Sequence, residues 1–292
     1  MKISLLHNPD AGDGFSLEDV RDEIEGAGHE IVLEIEKGVD FGRAASKGAE
    51  LIVVAGGDGT VRRAVQALQG TRTPLAILPF GTANNVARSL GVEGPLDELT
   101  HRWNRGRRVP FDLGKARGHW GESLFLEGAG VRLMPKFFKA AKKVVQKKKE
   151  KEGETVADDE LEIARGVFCE VVKDLEPRRI SFKADGEEIG GEFLLVEILN
   201  TPSNGPALRI SPGADVSDGL LDVVVAGEEE RDELLAALGG DPKRRPNLPT
   251  RRVREVEIPE CPAIHVDGDL FSKSESGDVS ISVEPAKIEF LV

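Results

Sequence analysis

A short apolar run, Leu51-Ile52-Val53-Val54-Ala55, passes directly into Gly56-Gly57-Asp58-Gly59-Thr60, and residues 60–68 then follow a helical pattern. This strand–glycine loop–helix unit constrains the chain most. A strand apolar at every position is buried on both faces. Glycines let the backbone turn tightly and approach a phosphate closely. The helix that follows offers unpaired N–H groups and its positive dipole end to an anion. Thr60 could both cap that helix and touch a phosphate oxygen. An ordinary turn would need fewer special residues, and the spacing matches neither the P-loop nor the GxGxxG fingerprint.

The surrounding residues repeat the theme. Strand patterns at 2–7, 29–36, 50–55 and 74–78 alternate with helical patterns at 16–27, 40–48, 60–68 and 83–90. Ser16 is a candidate N-cap, with Asp19 at the capping-box position. Such alternation predicts a parallel sheet covered by helices on both faces. A second loop, Pro79-Phe80-Gly81-Thr82-Ala83-Asn84-Asn85, follows the next strand and again leads into a helix. Loops at the C-terminal ends of neighbouring strands face the crevice where α/β sheets bind ligands. Residues 8–14, Asn8-Pro9-Asp10-Ala11-Gly12-Asp13-Gly14, could form a third wall.

Beyond about residue 108 the pattern becomes antiparallel-looking. Strands are expected near 109–116, 122–127, 179–184, 191–200, 220–226, 252–258, 263–266, 279–283 and 288–291. A basic helix is expected over 132–151, an acidic, mobile stretch over 152–162, and a Pro/Gly/Arg loop over 239–250. Asp185-Gly186-Glu187 reads as a hairpin turn.

Charge limits the partners. The chain has 292 residues, 39 basic and 52 acidic, for a net charge of −13. That argues against nucleic acid as a partner and against general attraction to anionic lipid. Residues 136–151 are a local exception, with eight lysines against one glutamate. Apolar residues beside lysines can dock on an anionic bilayer, each basic residue adding about 1 kcal/mol near the surface; a solvated helix face is the plainer reading. No apolar stretch reaches the length of a transmembrane helix, and the N-terminus lacks a signal-peptide pattern. Cys169 and Cys261 form no metal-binding spacing, and a reducing cytoplasm is the expected compartment. The five histidines have no ligand spacing; His265 beside Asp267 reads as a strand position.

Taken together, Asn8-Pro9 with Gly12, GGDGT at 56–60, PFGTANN at 79–85, Pro212-Gly213-Ala214-Asp215, Asp218-Gly219-Leu220-Leu221-Asp222 and Asp267-Gly268-Asp269 resemble the diacylglycerol kinase catalytic-domain family, which includes sphingosine, ceramide and bacterial lipid kinases. The resemblance implies an α/β plus β architecture. Its first part would be an N-terminal α/β nucleotide-binding domain over 1–110, completed by 286–292. The second would be a C-terminal β-sandwich over 111–285.

It implies transfer of phosphate from ATP to a lipid hydroxyl, with ATP between the domains. Asn8, Gly56, Gly57, Asp58, Gly59, Thr60, Gly81, Thr82 and Asn84 would bind the nucleotide. Asp269 would be the base, with Asp267 orienting it or meeting a metal. Asp215, Asp218 and Leu220 would hold a supporting Mg²⁺. A lipid alcohol is the expected substrate, and the protein would be cytoplasmic or peripheral at the inner face of the membrane. The oligomeric state stays open, a homodimer included.

The chain departs from the family pattern at Arg62, Arg63, Asn85 and Asp269, and at Glu34, which would repel phosphate. A kinase of a soluble acceptor such as NAD, or a nucleotide-binding regulator without catalysis, therefore remains an alternative.

Overall fold

The structure, a computed structural model, describes residues 1–9, 16–36, 38–152, 160–238 and 246–292, without the side chains of 46–47, 149–152 and 273–276. It divides into two units, Met1–Asp112 with Ala286–Val292, and Leu113–Pro285. The chain leaves the first unit within one long strand and returns to it at the end of another.

The first unit is the expected α/β alternation. Its elements are β1 (Lys2–His7), α1 (Leu17–Gly26), β2 (Glu30–Glu36), a 3-10 turn (Phe41–Lys47), β3 (Leu51–Gly56), α2 (Asp58–Ala67), β4 (Leu75–Pro79), α3 (Asn85–Ser89) and α4 (Leu96–Arg102). The strands run parallel in the order β2-β1-β3-β4. The end of the chain adds a further parallel strand beside β4, pairing Phe290 with Leu75. All six residues of β3 are buried, as its unbroken apolar run requires. Ser16 and Asp19 form the capping box at the start of α1.

Three local readings are corrected. Residues 41–47 form a 3-10 turn rather than an α-helix, stopped by Gly48 at φ 68°. The helix after GGDGT begins at Asp58 with Gly57 as its N-cap, so Thr60 does not cap it. Helix α3 has only five residues, and α4 follows it, hidden in the sequence behind Gly91, Gly94 and Pro95.

The second unit carries β5 (Arg108–Gly118, shared with the first unit), β6 (Gly121–Phe125), β7 (Gly128–Arg132), α5 (Leu133–Glu152), α6 (Glu160–Asp174), β8 (Arg178–Ala184), β9 (Glu187–Phe193), β10 (Leu195–Leu199), β11 (Leu221–Ala226), α7 (Arg231–Ala236), β12 (Thr250–Val253), β13 (Glu255–Val266) and β14 (Asp269–Leu291, shared). Its strands pair antiparallel in the order β12-β11-β10-β7-β13-β14, with β8–β9 paired to β13 and β5–β6 joined at β14. One core gathers Phe125, Phe182, Val196, Val256, Ile264 and Ile281 between strands. A second lies beneath the helices, where Met134 and Phe137 of α5 meet Phe168 of α6, Leu195 and Leu234.

Helices α6 and α7 correct the sequence reading. The acidic stretch expected to be mobile ends inside α6, whose Val167, Phe168 and Val172 are buried. Residues 153–159 of that stretch lie outside the described residues, as do 239–245 of the expected Pro/Gly/Arg loop and 10–14 of the expected third wall. Residues 191–200 are the end of one strand and a second strand, not one.

Candidate functional site

The two glycine loops of the first unit meet backbone to backbone. A Cβ on Gly57 would lie 2.9 Å from Cα of Gly81, and a Cβ on Gly81 only 2.4 Å from Cα of Gly57. No side chain larger than hydrogen fits there. A Cβ on Gly56 would collide with Thr60, which is buried beneath the strand end. Gly59, in the first turn of α2, is different: its missing Cβ would meet nothing within 4 Å. Packing therefore explains three of these glycines, while Gly59 keeps open space over the helix N-terminus.

Asp58 ties the loops together. Its carboxylate accepts the backbone N–H of Asn85 (3.0 Å) and Val86 (3.0 Å), the first residues of α3. Burial pushes its carboxyl above the ordinary range, and those two N–H groups and Arg88 pull it back. Asn84, at φ 49°, works within its own loop. Its Oδ1 accepts Gly81 N–H at 2.9 Å, and its Nδ2 donates to the carbonyls of Pro79 (3.1 Å) and Gly81 (2.5 Å). Asp58 and Asn84, expected as nucleotide contacts, thus shape the loops. Thr82 is on the same loop, exposed within the 81–83 bend. Asn8 follows β1, its N–H bonded to the Ala55 carbonyl at 3.1 Å.

The residues that departed from the family pattern also find places. Glu34 is held by Arg21 through two hydrogen bonds of 2.5 Å, and this guanidinium keeps its carboxyl below the usual range. Arg63 is exposed and donates to the Gly59 carbonyl of its own helix at 3.3 Å. Asn85 is buried at the start of α3.

In the second unit, Asp267 and Gly268 are the two residues of the turn joining β13 to β14, at φ 45° and 82°. Positive φ at both central positions is the tight hairpin geometry that favours Asp-Gly. Asp267 is fully engaged there. Its Oδ2 accepts the N–H of Leu126 (2.8 Å), and its Oδ1 accepts those of Glu127 (3.0 Å) and Gly128 (3.1 Å). A carboxylate taking three backbone donors is a clamp and an orienting group, not a proton acceptor. Asn200 grips the same segment, donating from its Nδ2 to the Leu126 carbonyl at 3.0 Å. Asp269 emerges from the turn exposed.

Asp185-Gly186 is a hairpin turn of the same kind, its Asp185 Oδ1 accepting the N–H of Arg254 and Glu255.

At the metal site expected at Asp215, Asp218 and Leu220, both carboxylates are engaged within the protein. Asp218 Oδ1 accepts the Leu220 N–H at 2.9 Å, and its Oδ2 is ion-paired to Arg252. Arg252 sits opposite Asp222 in the β11–β12 register, so its guanidinium is delivered by strand pairing. Asp215 Oδ1 is taken by the N–H (3.0 Å) and hydroxyl (2.8 Å) of Ser217. A divalent cation on Asp218 would face a fixed positive charge. Among the described residues, no group of three or more His, Cys, Asp or Glu side chains could hold a metal.

Sequence reasoning passed over Glu197, Asn200 and Gly130, which lie with His265 beside the turn. His265 was read as a strand position, and it is one, on β13.

Residues 2–116 match the model of the diacylglycerol kinase catalytic domain, and residues 166–292 match that of the YegS C-terminal NAD kinase β-sandwich-like domain. The chain carries a diacylglycerol kinase catalytic domain. The chain is 29% identical over 310 residues to the diacylglycerol kinase of Mycobacterium tuberculosis, covering 99% of this chain and 94% of that protein. It is 29% identical over 283 residues to the probable lipid kinase YegS-like of Cronobacter sakazakii, covering 90% and 86%. A crystal structure titled as a diacylglycerol kinase from Bacillus anthracis shares the fold, with a TM-score of 0.69, 20% identity, and 99% and 96% coverage. The kinase domain makes phosphoryl transfer the class of chemistry. No helix among the described residues is long and apolar enough to cross a membrane.

Proposed function

We propose that the protein transfers the γ-phosphate of ATP to a hydroxyl of diacylglycerol or a related lipid alcohol. The observation that carries this reading is the open N-terminus of α2 at Gly59, held in place by the Gly57–Gly81 contact and the Asp58 clamp. Nucleotide phosphates would lie over residues 56–60, taking the first-turn N–H groups and the positive end of the helix dipole. Asp269 would accept the proton of the acceptor hydroxyl as its oxygen attacks the γ-phosphorus and ADP leaves. Asp is one methylene shorter than the family's Glu, which limits this base's reach. Asp267 would hold the turn that presents it. The names of the relatives support a lipid acceptor.

Helix α5 supports a membrane-surface encounter. It buries Met134 and Phe137 while exposing Lys136, Lys139, Lys142, Lys143 and Lys147, with Val144 40% exposed. Apolar and cationic groups together favour an anionic bilayer.

The test is transfer from γ-labelled ATP, with Mg²⁺, to a lipid panel in mixed micelles, with NAD included and Asp269→Ala as control. A labelled lipid that disappears in the variant is expected. Label on NAD alone would move the protein to a soluble acceptor. ATP binding without label on any acceptor would favour a regulatory protein.

A further inference from the structure

Strands β10, β7 and β13 lie side by side, and their registers pair Glu197 with Gly130 and Gly130 with His265. The three residues form one row across the sheet. The centre of the row has no side chain: a Cβ on Gly130 would lie 1.8 Å from Glu197 Oε2. Through that gap Glu197 reaches over its neighbour, and its Oε1 meets His265 Nε2 at 2.7 Å. Both side chains are completely buried. Asn204 Nδ2 donates to the same Oε1 at 2.6 Å, while Oε2 has no hydrogen-bond partner among the described residues.

The other ring nitrogen faces the Asp267–Gly268 turn. Gly268 N–H donates to His265 Nδ1 at 3.3 Å. An amide can only donate, so Nδ1 must accept, and the proton must sit on Nε2, directed at Glu197. Phe138 packs on the imidazole, ring centroids 4.8 Å apart, and also lies against Gly268. The turn is therefore pinned at both residues: Asp267 by three amides of 126–128, and Gly268 by the imidazole.

A two-residue Asp-Gly hairpin needs no such support. Burying a carboxylate with one oxygen unpartnered is costly. An arrangement that carries this cost, and whose other ring nitrogen accepts the N–H of the residue before Asp269, is suited to fixing that residue's place.

We propose that Glu197 and His265 form a buried carboxylate–imidazole pair that positions the 267–268 turn, and through it the Asp269 carboxylate. This rests on the reading of Asp269 as the base. Glu197 orients the ring, the ring holds the Gly268 amide, and Gly130 provides the space for both. They are positioning residues, because neither touches the acceptor.

Two variants separate the halves of the imidazole. His265→Asn keeps an acceptor near the Nδ1 position but loses the Nε2–H. His265→Gln keeps a donor near Nε2 and loses the acceptor for Gly268. A displacement of about 1 Å costs about a hundredfold in rate. His265→Gln should therefore lower kcat by at least about tenfold, with KM for ATP within about twofold, whereas His265→Asn should keep most of kcat. Equal losses in the two variants, or no loss in His265→Gln, would overturn the proposal.

Two readouts do not depend on turnover. In the wild-type chain, long-range ¹H–¹⁵N spectra of His265 should show a neutral imidazole protonated at Nε2; a cationic ring or an Nδ1–H tautomer would refute the pair. Gly268 amide exchange should accelerate in His265→Gln and stay slow in His265→Asn; equal exchange refutes the positioning. If the wild-type chain phosphorylates no acceptor, the kinase reading fails, and these spectra alone decide the pair.

Discussion

Alanine at Gly59 and at Gly81 should have opposite effects, because the two glycines are small for different reasons. At Gly81 a Cβ would sit 2.4 Å from Cα of Gly57 and 2.9 Å from Oδ1 of Asn84. Ordinary carbon contacts need about 3.5–4.0 Å, so the two loop backbones would have to part by roughly 1 Å or more. Overpacking of this kind costs about 1–3 kcal/mol. At about 4 °C per kcal/mol for a domain of this size, the midpoint of the first unit should fall by roughly 4–12 °C.

At Gly59 a Cβ meets nothing, and the residue already lies in helix α2. Gly59→Ala should leave stability unchanged or raise it by up to about 1 kcal/mol, since alanine loses less backbone freedom in a helix. The methyl would instead occupy the space in which a phosphate would approach the helix N-terminus. Its effect should therefore appear in nucleotide affinity, as a loss of at least about tenfold, or roughly 1.4 kcal/mol. Differential scanning fluorimetry gives the midpoints and titration calorimetry with ATP the affinities. Gly59→Ala protein that binds ATP as the wild type does would refute the placement of the phosphates over residues 56–60. Gly81→Ala protein as stable as the wild type would refute the back-to-back packing.

Gly130→Ala should disrupt the second unit rather than merely weaken it, because the added Cβ would fall 1.8 Å from a buried carboxylate oxygen; circular dichroism melting would show whether a folded transition survives. Mg²⁺ against EDTA should leave the wild-type thermal midpoint unchanged, whereas Arg252→Ala, which frees Asp218 and Asp222, should gain Mg²⁺-dependent stabilisation; a strong Mg²⁺ effect in the wild type would argue against the Arg252 pairing. Burial pushes the Cys261 thiol from its ordinary 9.0 up to about 11. Between those values the unfolded chain loses the proton first. This contribution is therefore intact below pH 9 and declines by roughly 2–3 kcal/mol as pH rises to 11. Chemical denaturation of wild type and Cys261→Ala across that range should show the wild type falling more steeply.

The two glycine loops of the first unit were legible because their signals are local. Strand, glycines and helix are consecutive in the chain, and each loop's conformation is set within a few residues. Even so, the roles of individual side chains were not legible. Asp58 and Asn84 look like ligand contacts in a linear motif, but their partners are the backbone of the neighbouring loop and of the residue's own loop. The β-strands of the second unit were largely readable from alternation, whereas α6 was masked by the acidic residues before it, and its helical character shows in Val167, Phe168 and Val172 packing under α5.

Glu197, Gly130 and His265 carry no pattern in the sequence, since 67 residues separate Gly130 from Glu197 and 68 separate Glu197 from His265, and only the strand order β10-β7-β13 sets them in a row. The same holds for Arg252 on Asp218: a basic residue beyond a loop gives no hint of its partner until strand pairing delivers it. What the sequence determined by itself was the α/β alternation of the first unit, its two glycine loops and the kinase resemblance. Those rest on local backbone preference and on apolar periodicity, which act between near neighbours. What the tertiary structure decided was the use of each charged side chain, because a carboxylate's role depends on which donor comes within about 3 Å of it, and that donor is supplied by distant chain.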